Sequence, residues 1–474
     1  MRPRVTSIVI AVTLATLPSL ARAQSDTTLK LTTSKPTAAA EFRAGVKDYE
    51  NVSFESANSH FKAAIDADPK FGLARVLYAS TAFGLDQKDL ESELSRGVAD
   101  AAHATNKELI LASAYREAAL GHSGAAVALF RTATQLMPND RLVAFAAAGG
   151  VFSATLPAAR DLVARYPDYA VGYNSLAYLS WNEGDKAGAL AAAKRQVELN
   201  PTAPNAHDTY GELLQWSGDF PHAVEEYQKA TTLTPKFPEA YAGLAEASVL
   251  QGQYDQARNF LNQAIANSWT PQQKLNYMRQ IIGTYVLQGG PPDALTGQFE
   301  ASIAEAKAQH DKRTTAVLYS QLATVQANAG NANAAHQSIA LAKAASADVP
   351  WNVHFYAAMA HGLMRHWAPA GQELAALKSQ ADDDASVSRD FLAALEGYQL
   401  TQQGKPADAL PILMAADTTN VLVMNRIAEA HAALGHAAEA AEWNGRINAN
   451  YALNLGDFTN VNSRRRARLA TATR

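Results

Sequence analysis

AVGYNSLAYLSWNEGDKAGALAAAKRQVELNPTA (170–203), PNAHDTYGELLQWSGDFPHAVEEYQKATTLTPKF (204–237) and PEAYAGLAEASVLQGQYDQARNFLNQAIANSWTP (238–271) are three passes of one pattern, each 34 residues long. Gly184, Gly218 and Gly252 fall in register, and so do Ala189, Ala223 and Ala257. Pro167, Pro201 and Pro235 keep the same step. A fixed period in this range predicts a solenoid, built from supersecondary units none of which buries its apolar face alone.

The content of the passes resembles the tetratricopeptide repeat family. Its unit is two antiparallel helices carrying a large residue, then Leu-Gly, and later Ala, Phe, Ala and Pro. The first pass has Tyr173, Leu176, Ala177, Ala189 and Pro201, the second Gly211, Ala223, Tyr227, Ala230 and Pro235, and the third Tyr241, Leu244, Ala245, Ala257 and Ala264. The resemblance implies an all-α fold, a right-handed superhelical solenoid. Between Ala38 and Asn450 there is room for about 12 antiparallel hairpins of about 34 residues each.

Outward from the three clear units (170–271), the same offsets recur at Gly45, Ala57, Phe61, Ala64 and Pro69. Residues 38–169 are therefore expected to form N-terminal hairpins. The unit from Gly72 is degenerate, with a first helix over Leu73–Phe83 and a weaker second over Asp89–Ala102. The unit from Asn139 to Pro167 is shortened around Gly149-Gly150 and Pro157. In 272–450 the motif fades but the helical rhythm persists. It turns at Gln288–Pro292, near Trp367-Ala368-Pro369, at Gly404-Lys405-Pro406 and at Gly435-His436. Residues 451–474 carry Arg464, Arg465, Arg466 and Arg468. This segment reads as a solvated capping helix, because terminal units need a polar outer face. The other reading is a basic tail for an acidic surface or anionic lipid.

The chain starts with an expected export signal, residues 1–23. Arg2 and Arg4 precede the apolar run Val5–Leu17, and Ala21-Arg22-Ala23 offers small residues for cleavage. The run is short of the roughly 20 residues that cross a bilayer as a helix. Residues 24–37, rich in Thr and Ser, are expected to be a flexible polar lead. Losing the leader removes three arginines and takes the net charge from −4 to about −7, which argues against nucleic acid as a partner. There is no cysteine, so an exported chain of this kind is held together by burial alone. The expected product is periplasmic or secreted, soluble, and at most peripheral to a membrane.

Signatures of catalysis fail one by one. Ser59-His60-Phe61-Lys62 has Ser-x-x-Lys spacing, but Phe61 is the packing residue of its repeat and the companion motifs are missing. His354, His361 and His366 read as a cluster on one helix, the first two seven residues apart. A metal needs a further ligand, and no carboxylate stands at a useful step, so no metal is expected. Asp382-Asp383-Asp384 lacks the alternating ligands and glycine of a calcium loop. Gly149-Gly150 lacks the Lys and Ser/Thr of a phosphate loop. Asn51-Val52-Ser53 is a glycosylation sequon. No cofactor is expected.

What remains is a surface. The family resemblance implies that first helices line a concave groove. On the three clear units it assigns Asn174, Tyr178, Trp181 and Asn182, then Asn205, Asp208, Glu212, Gln215 and Trp216, then Glu239 and Glu246. Aromatic and amide side chains suit an extended peptide, whose backbone needs hydrogen bonds and whose side chains need pockets. Repeats that clamp a terminal carboxylate use cations on this face, whereas here Glu239 and Gly243 stand in those places. A neutral or basic protein or peptide partner is therefore expected, held by a non-catalytic scaffold. The alternatives are an all-helical carbohydrate-active enzyme using Asp208, Glu212 and Glu246, and a sensory module of a membrane complex.

Overall fold

The computed structural model describes residues 28–82, 85, 87–150, 154–383 and 388–472. The expected leader and Asp384 lie outside the described residues, among which there are 25 α-helices and no strand. The first four pairs are α1 (Pro36–Glu50) with α2 (Phe54–Ala67), α3 (Gly72–Thr81) with α4 (Gln87–Ala101), α5 (Asn106–Ala119) with α6 (Ser123–Leu136), and α7 (Arg141–Ala147) with α8 (Leu156–Arg165). The next four are α9 (Ala170–Asn182) with α10 (Lys186–Leu199), α11 (Pro204–Ser217) with α12 (Phe220–Leu233), α13 (Pro238–Leu250) with α14 (Tyr254–Ala266), and α15 (Pro271–Gln288) with α16 (Pro292–Ala308). The last four are α17 (Lys312–Asn328) with α18 (Ala332–Ala345), α19 (Trp351–Leu363) with α20 (Trp367–Asp383), α21 (Arg389–Gln402) with α22 (Pro406–Met414), and α23 (Val421–Ala433) with α24 (Ala437–Asn448). A final helix, α25 (Phe458–Ala472), stands alone. The fold is all-α, a solenoid of hairpins. The shortened fourth pair departs from the pattern, because α7 packs on α6 and α8 on α9 rather than chiefly on each other.

The turn chemistry of the repeats explains the hairpins. Gly184, Gly218, Gly252, Gly330, Gly404 and Gly435 all take the left-handed conformation, with φ from 77° to 92°, which glycine adopts without Cβ strain. The next residue is the N-cap of the second helix, and where it is Asp or Asn its side chain accepts a hydrogen bond there. Asp185 and Asn331 accept from the backbone N–H of Gly188 and Ala334 at 2.9 and 3.2 Å. Two hairpins turn without glycine, at Val52 (φ 60°) and Arg365 (φ 60°).

Packing inside three of the hairpins follows the same scheme. A large residue of the second helix sits where the first helix has no side chain. A Cβ on Gly45 would lie 2.7 Å from the Phe61 ring, one on Gly211 3.0 Å from the Tyr227 ring, and one on Gly397 2.7 Å from Leu413. Each pair is separated by the same 16 residues. Phe61 and Leu413 have no exposed surface and Tyr227 almost none.

The array curls back on itself. Tyr169 Oη donates to Glu50 at 2.5 Å, and Asn200 Nδ2 donates to Asn51 Oδ1 at 2.6 Å, tying the fifth hairpin to the first. Trp269 and Thr270, after the seventh hairpin, share a cavity of about 270 Å³ with Asn58, Tyr78 and Leu85 of the first two.

Phe61→Ala should cost about 3–5 kcal/mol, the range for emptying an aromatic from a core. Solenoid contacts are local, so the loss of hydrogen-exchange protection should be confined to the hairpins around α2. Equal deprotection of α17 to α24 would contradict this account of the packing.

Candidate functional site: a trough partly filled by the chain's own end

Between the capping helix and the basic tail, the structure favours neither form as expected. After α24 the chain runs back across the first-helix face, and α25 packs on α15 and α23 as well as on α24. Tyr451 stacks edge-on against Phe220 at 5.2 Å. The Leu455 carbonyl lies so close to Gly283 that a Cβ there would meet it at 2.1 Å. Arg279 donates to the Gly456 carbonyl at 3.1 Å. Phe458 reaches the rings of Phe299 and Tyr356, both at 5.8 Å. Leu453, Leu455, Val461 and Ala467 are buried. A residual cavity of about 280 Å³ remains beneath α25, lined by α15, α17, α19 and α23.

Arg464 is buried, and Arg465, Arg466 and Arg468 are half-buried rather than solvated. Arg464 is 3% exposed and donates to the Ala452 carbonyl at 2.8 Å, to Asn460 at 2.6 Å and to the Asn450 carbonyl. Burial pushes its pKa down to about 10, so it stays charged at neutral pH. Arg466 pairs with Glu429 at 2.5 Å, and Arg468 donates to Tyr254 Oη at 3.0 Å. Burial alone would raise the Glu429 pKa, but Arg426 and Arg466 outweigh it and hold the carboxyl below its usual range. The acidic surface that this basic segment meets belongs to its own chain.

The lead is likewise not loose over its described part. Residues 28–33 alternate exposed and half-buried, the period of an extended strand. Leu29 and Leu31 pack on the first core cluster. The Leu29 N–H donates to Asp140 at 2.8 Å, Thr32 donates from both its N–H and hydroxyl to Glu108 at 2.6 Å, and Thr33 donates to Asp68 at 2.5 Å. The segment straps the edge where α3, α5 and α7 begin. Residues 24–27 lie outside the described residues.

The end segment leaves the first helices of the three clear units less covered. Of the residues expected to face a groove, Asn174, Asn205 and Gln215 are instead sealed in seams. Asn174 Nδ2 donates to Thr209 at 2.8 Å and to Asn205 Oδ1 at 3.3 Å. Gln196 Nε2 donates to that same oxygen at 3.2 Å. Gln215 has no exposed surface and donates to Glu246 at 3.3 Å. These side chains are held where α9, α10, α11 and α13 pack closely, so they are not available to a partner, and the buried side-chain oxygens of Gln196 and Gln215 have no hydrogen-bond partner. Trp216 packs against both Tyr178 and Trp181, at 6.0 and 5.6 Å between centroids, and Lys186 covers Trp181. Asn182 is exposed at the end of α9.

Four carboxyls complete the floor. Asp208, Glu212, Glu239 and Glu246 are all half-buried. Tyr178 donates to Glu212 at 2.6 Å, and Gln273 to Glu239 at 2.8 Å. Burial raises every one of their pKa values, and for Asp208 the neighbouring Glu212, Glu239 and Glu246 add to it. Glu246 is pushed up to about 8 by burial and by Glu212, against the pull of Gln215 and Arg464. The floor is thus a pocket of crowded carboxyls whose charged forms burial disfavours, Glu246 being largely protonated at neutral pH.

Outside the trough, the expected histidine cluster is redistributed. His354 Nδ1 donates to Glu373 at 2.7 Å and stays apart, while His366 lies in the turn before α20 and not on α19. His336 of α18 takes the third place, which sequence spacing did not suggest.

Residues 214–268 match the family model described as tetratricopeptide repeat. Residues 214–268 carry tetratricopeptide repeat sequence. Repeats of this family form protein-interaction scaffolds. No curated protein matches the sequence. Among solved structures, PilF of Pseudomonas aeruginosa is 16% identical, the match covering 48% of this chain and 95% of that one with a TM-score of 0.33. A thermophilic tetratricopeptide repeat protein of Thermus thermophilus is 18% identical over 51% and 96% of the two chains, TM-score 0.26. MamA is 17% identical over 49% and 91%, TM-score 0.19. No helix among the described residues is long and apolar enough to cross a membrane.

Two outcomes are expected. Gly283→Ala should expel the returning segment from the array, so that trypsin cleaves after Arg464 far faster than in the parent protein. Unchanged cleavage would sink this contact as the latch. Second, Glu246 has a folded pKa raised from 4.5 to about 8. Its protonated form is favoured by the fold, so its contribution to stability is full below about pH 4.5 and is lost as pH rises through about 8. Relative to Glu246→Gln, the parent protein should lose stability over that window, read as melting temperature against pH. Parallel curves would refute it.

Proposed function

We propose that the protein is an exported, non-catalytic scaffold that holds a neutral or basic protein segment against the floor formed by α9, α11 and α13. The observation that carries this reading is the set of four carboxyls on first helices that the returning segment leaves half-open, beside the aromatic group Tyr178, Trp181 and Trp216. A cationic side chain entering the floor pairs with carboxyls whose charged form burial disfavours and stabilises that form, which an acidic segment does not. Export rests on the leader, and the periplasm or the outside of the cell is the proposed location.

The carbohydrate-active reading draws no support from the same groups. A glycosidase pair needs one carboxyl held protonated and one held ionised, whereas Asp208, Glu212 and Glu246 all shift upward. A sensory role through a membrane protein would use the same floor and differs only in the partner.

The test is binding of basic and acidic peptide pools at low and high salt. The basic pool should bind more tightly, should weaken as salt screens the attraction, and should weaken several-fold in an Asp208→Asn, Glu212→Gln double variant. Tighter binding of the acidic pool overturns the proposal.

A further inference from the structure

Three imidazoles converge where the ninth and tenth hairpins meet. His336 comes from α18, His361 from the last turn of α19, and His366 stands just before α20. One nitrogen of each lies within 4.8 Å of the others. His336 Nε2 and His366 Nδ1 are 3.3 Å apart, and their rings are stacked with centroids 5.2 Å apart. Zinc–nitrogen bonds of about 2.0–2.1 Å in a tetrahedron put neighbouring ligand nitrogens about 3.3–3.4 Å apart, so this pair already has the spacing that a shared ion requires. His361 is 8% exposed, and its Nδ1 is buried with no hydrogen-bond partner. A buried nitrogen of this kind is costly unless something occupies it.

The repeat itself supplies the geometry. Across a hairpin turn, residue i and residue i+5 face each other. His122 meets Glu117 at 2.8 Å, His436 meets His431 at 3.4 Å, and the His361 and His366 rings are 6.3 Å apart. Among these turns, only the tenth also receives a histidine from the preceding second helix. In the last hairpin the pair His431 and His436 follows α22, where Leu410 holds the place equivalent to His336, five residues after the helix cap. Nearby Glu373 is committed to His354 and Lys343, which keeps the lysine charge balanced and leaves the three imidazoles without a carboxylate.

We propose that His336, His361 and His366 bind a divalent transition-metal ion of the zinc class. Three neutral nitrogen donors suit zinc, nickel or copper and are wrong for calcium or magnesium, which take oxygen. Three protein ligands leave one position for water or for a donor from another molecule. The ion also ties α18 to the α19–α20 turn, where Arg365 stands in the left-handed conformation that other hairpins give to glycine.

The test uses the full chain without an affinity tag, stripped with chelator and titrated with zinc chloride by calorimetry. Cobalt(II) serves as an optical probe of four-coordinate geometry. One equivalent should bind, with the intense visible bands of tetrahedral cobalt. His336→Ala and His366→Ala remove exposed side chains, so their helicity and chelator-treated melting temperature should match the parent. Each should weaken zinc by more than the roughly 10- to 100-fold seen when only an outer-shell partner is lost. His436→Ala, in the two-histidine turn, should change nothing, and zinc should raise the melting temperature of the parent but not of His336→Ala. The proposal is overturned by no saturable uptake, by undiminished binding in His336→Ala, or by an equal loss in His436→Ala.

Discussion

The stack depends on a steric bargain repeated along the chain, in which one helix of a hairpin gives up a side chain so that its partner can keep a large one. At Gly45, Gly211 and Gly397 the missing Cβ makes room for Phe61, Tyr227 and Leu413. Alanines flank these contacts with no exposed surface, Ala57 and Ala64 in the first hairpin and Ala223 and Ala230 in the sixth. Close approach of helix axes follows, and with it the short seams in which Asn205 accepts from Asn174 of the preceding first helix and from Gln196 of α10. The amides that look like partner-binding groups are a consequence of the same tight packing.

A solenoid so built has a cost on its inner face. First helices present apolar and charged groups that no further hairpin covers, and curvature crowds them together. Over α15 to α23 the chain solves this with its own terminal segment. Leu455 and Phe458 supply apolar cover, and Arg464, Arg466 and Arg468 supply charge where Glu246, Glu429 and Tyr254 need it. Truncating Arg466 would leave Glu429 with one cation fewer in a buried setting, which is more damaging than losing an exposed pair. Over α9 to α13 the same solution reaches only Glu246, and the carboxyls of Asp208, Glu212 and Glu239 remain without a cation from the end segment.

Which parts of this could be read in the chain follows from the range of the forces involved. The hairpins were legible because period, turn glycines and packing alanines are local and recur in most units, although the turns at Val52 and Arg365 lack the glycine. The sealed amides were not, since the projection of one helix gives Asn174 and Tyr178 much the same outward angle and does not reveal that Thr209 is within reach. Four arginines near a terminus read as solvated because buried arginine is uncommon. Their partners, from Asn450 to Glu429 and Tyr254, have no short-range relation to them. The strap left a trace, the alternation of Leu29 and Leu31 among polar residues, outweighed by its Thr-rich composition. His336 gave none, for it lies 25 residues before His361 and only the stacking of hairpins brings it near.

The tethered end also limits what a partner can do. A segment joined by a short leash competes with an effective concentration in the millimolar range, so a free peptide at micromolar concentration has to bind the α15–α23 trough about a thousandfold better than the chain's own end does. The floor of α9, α11 and α13 carries less of this handicap, since the end reaches it at Tyr451, beside Gly218, and at Glu246, which the Leu455 backbone and the Arg464 charge engage. Three helices at about 10 Å spacing span about 20 Å, which an extended chain crosses in about six residues at about 3.3 Å each. A partner fitted to this floor is therefore a short extended stretch with a positive or uncharged centre, and a longer groove ligand would first have to unseat the segment that the Gly283 contact holds in place.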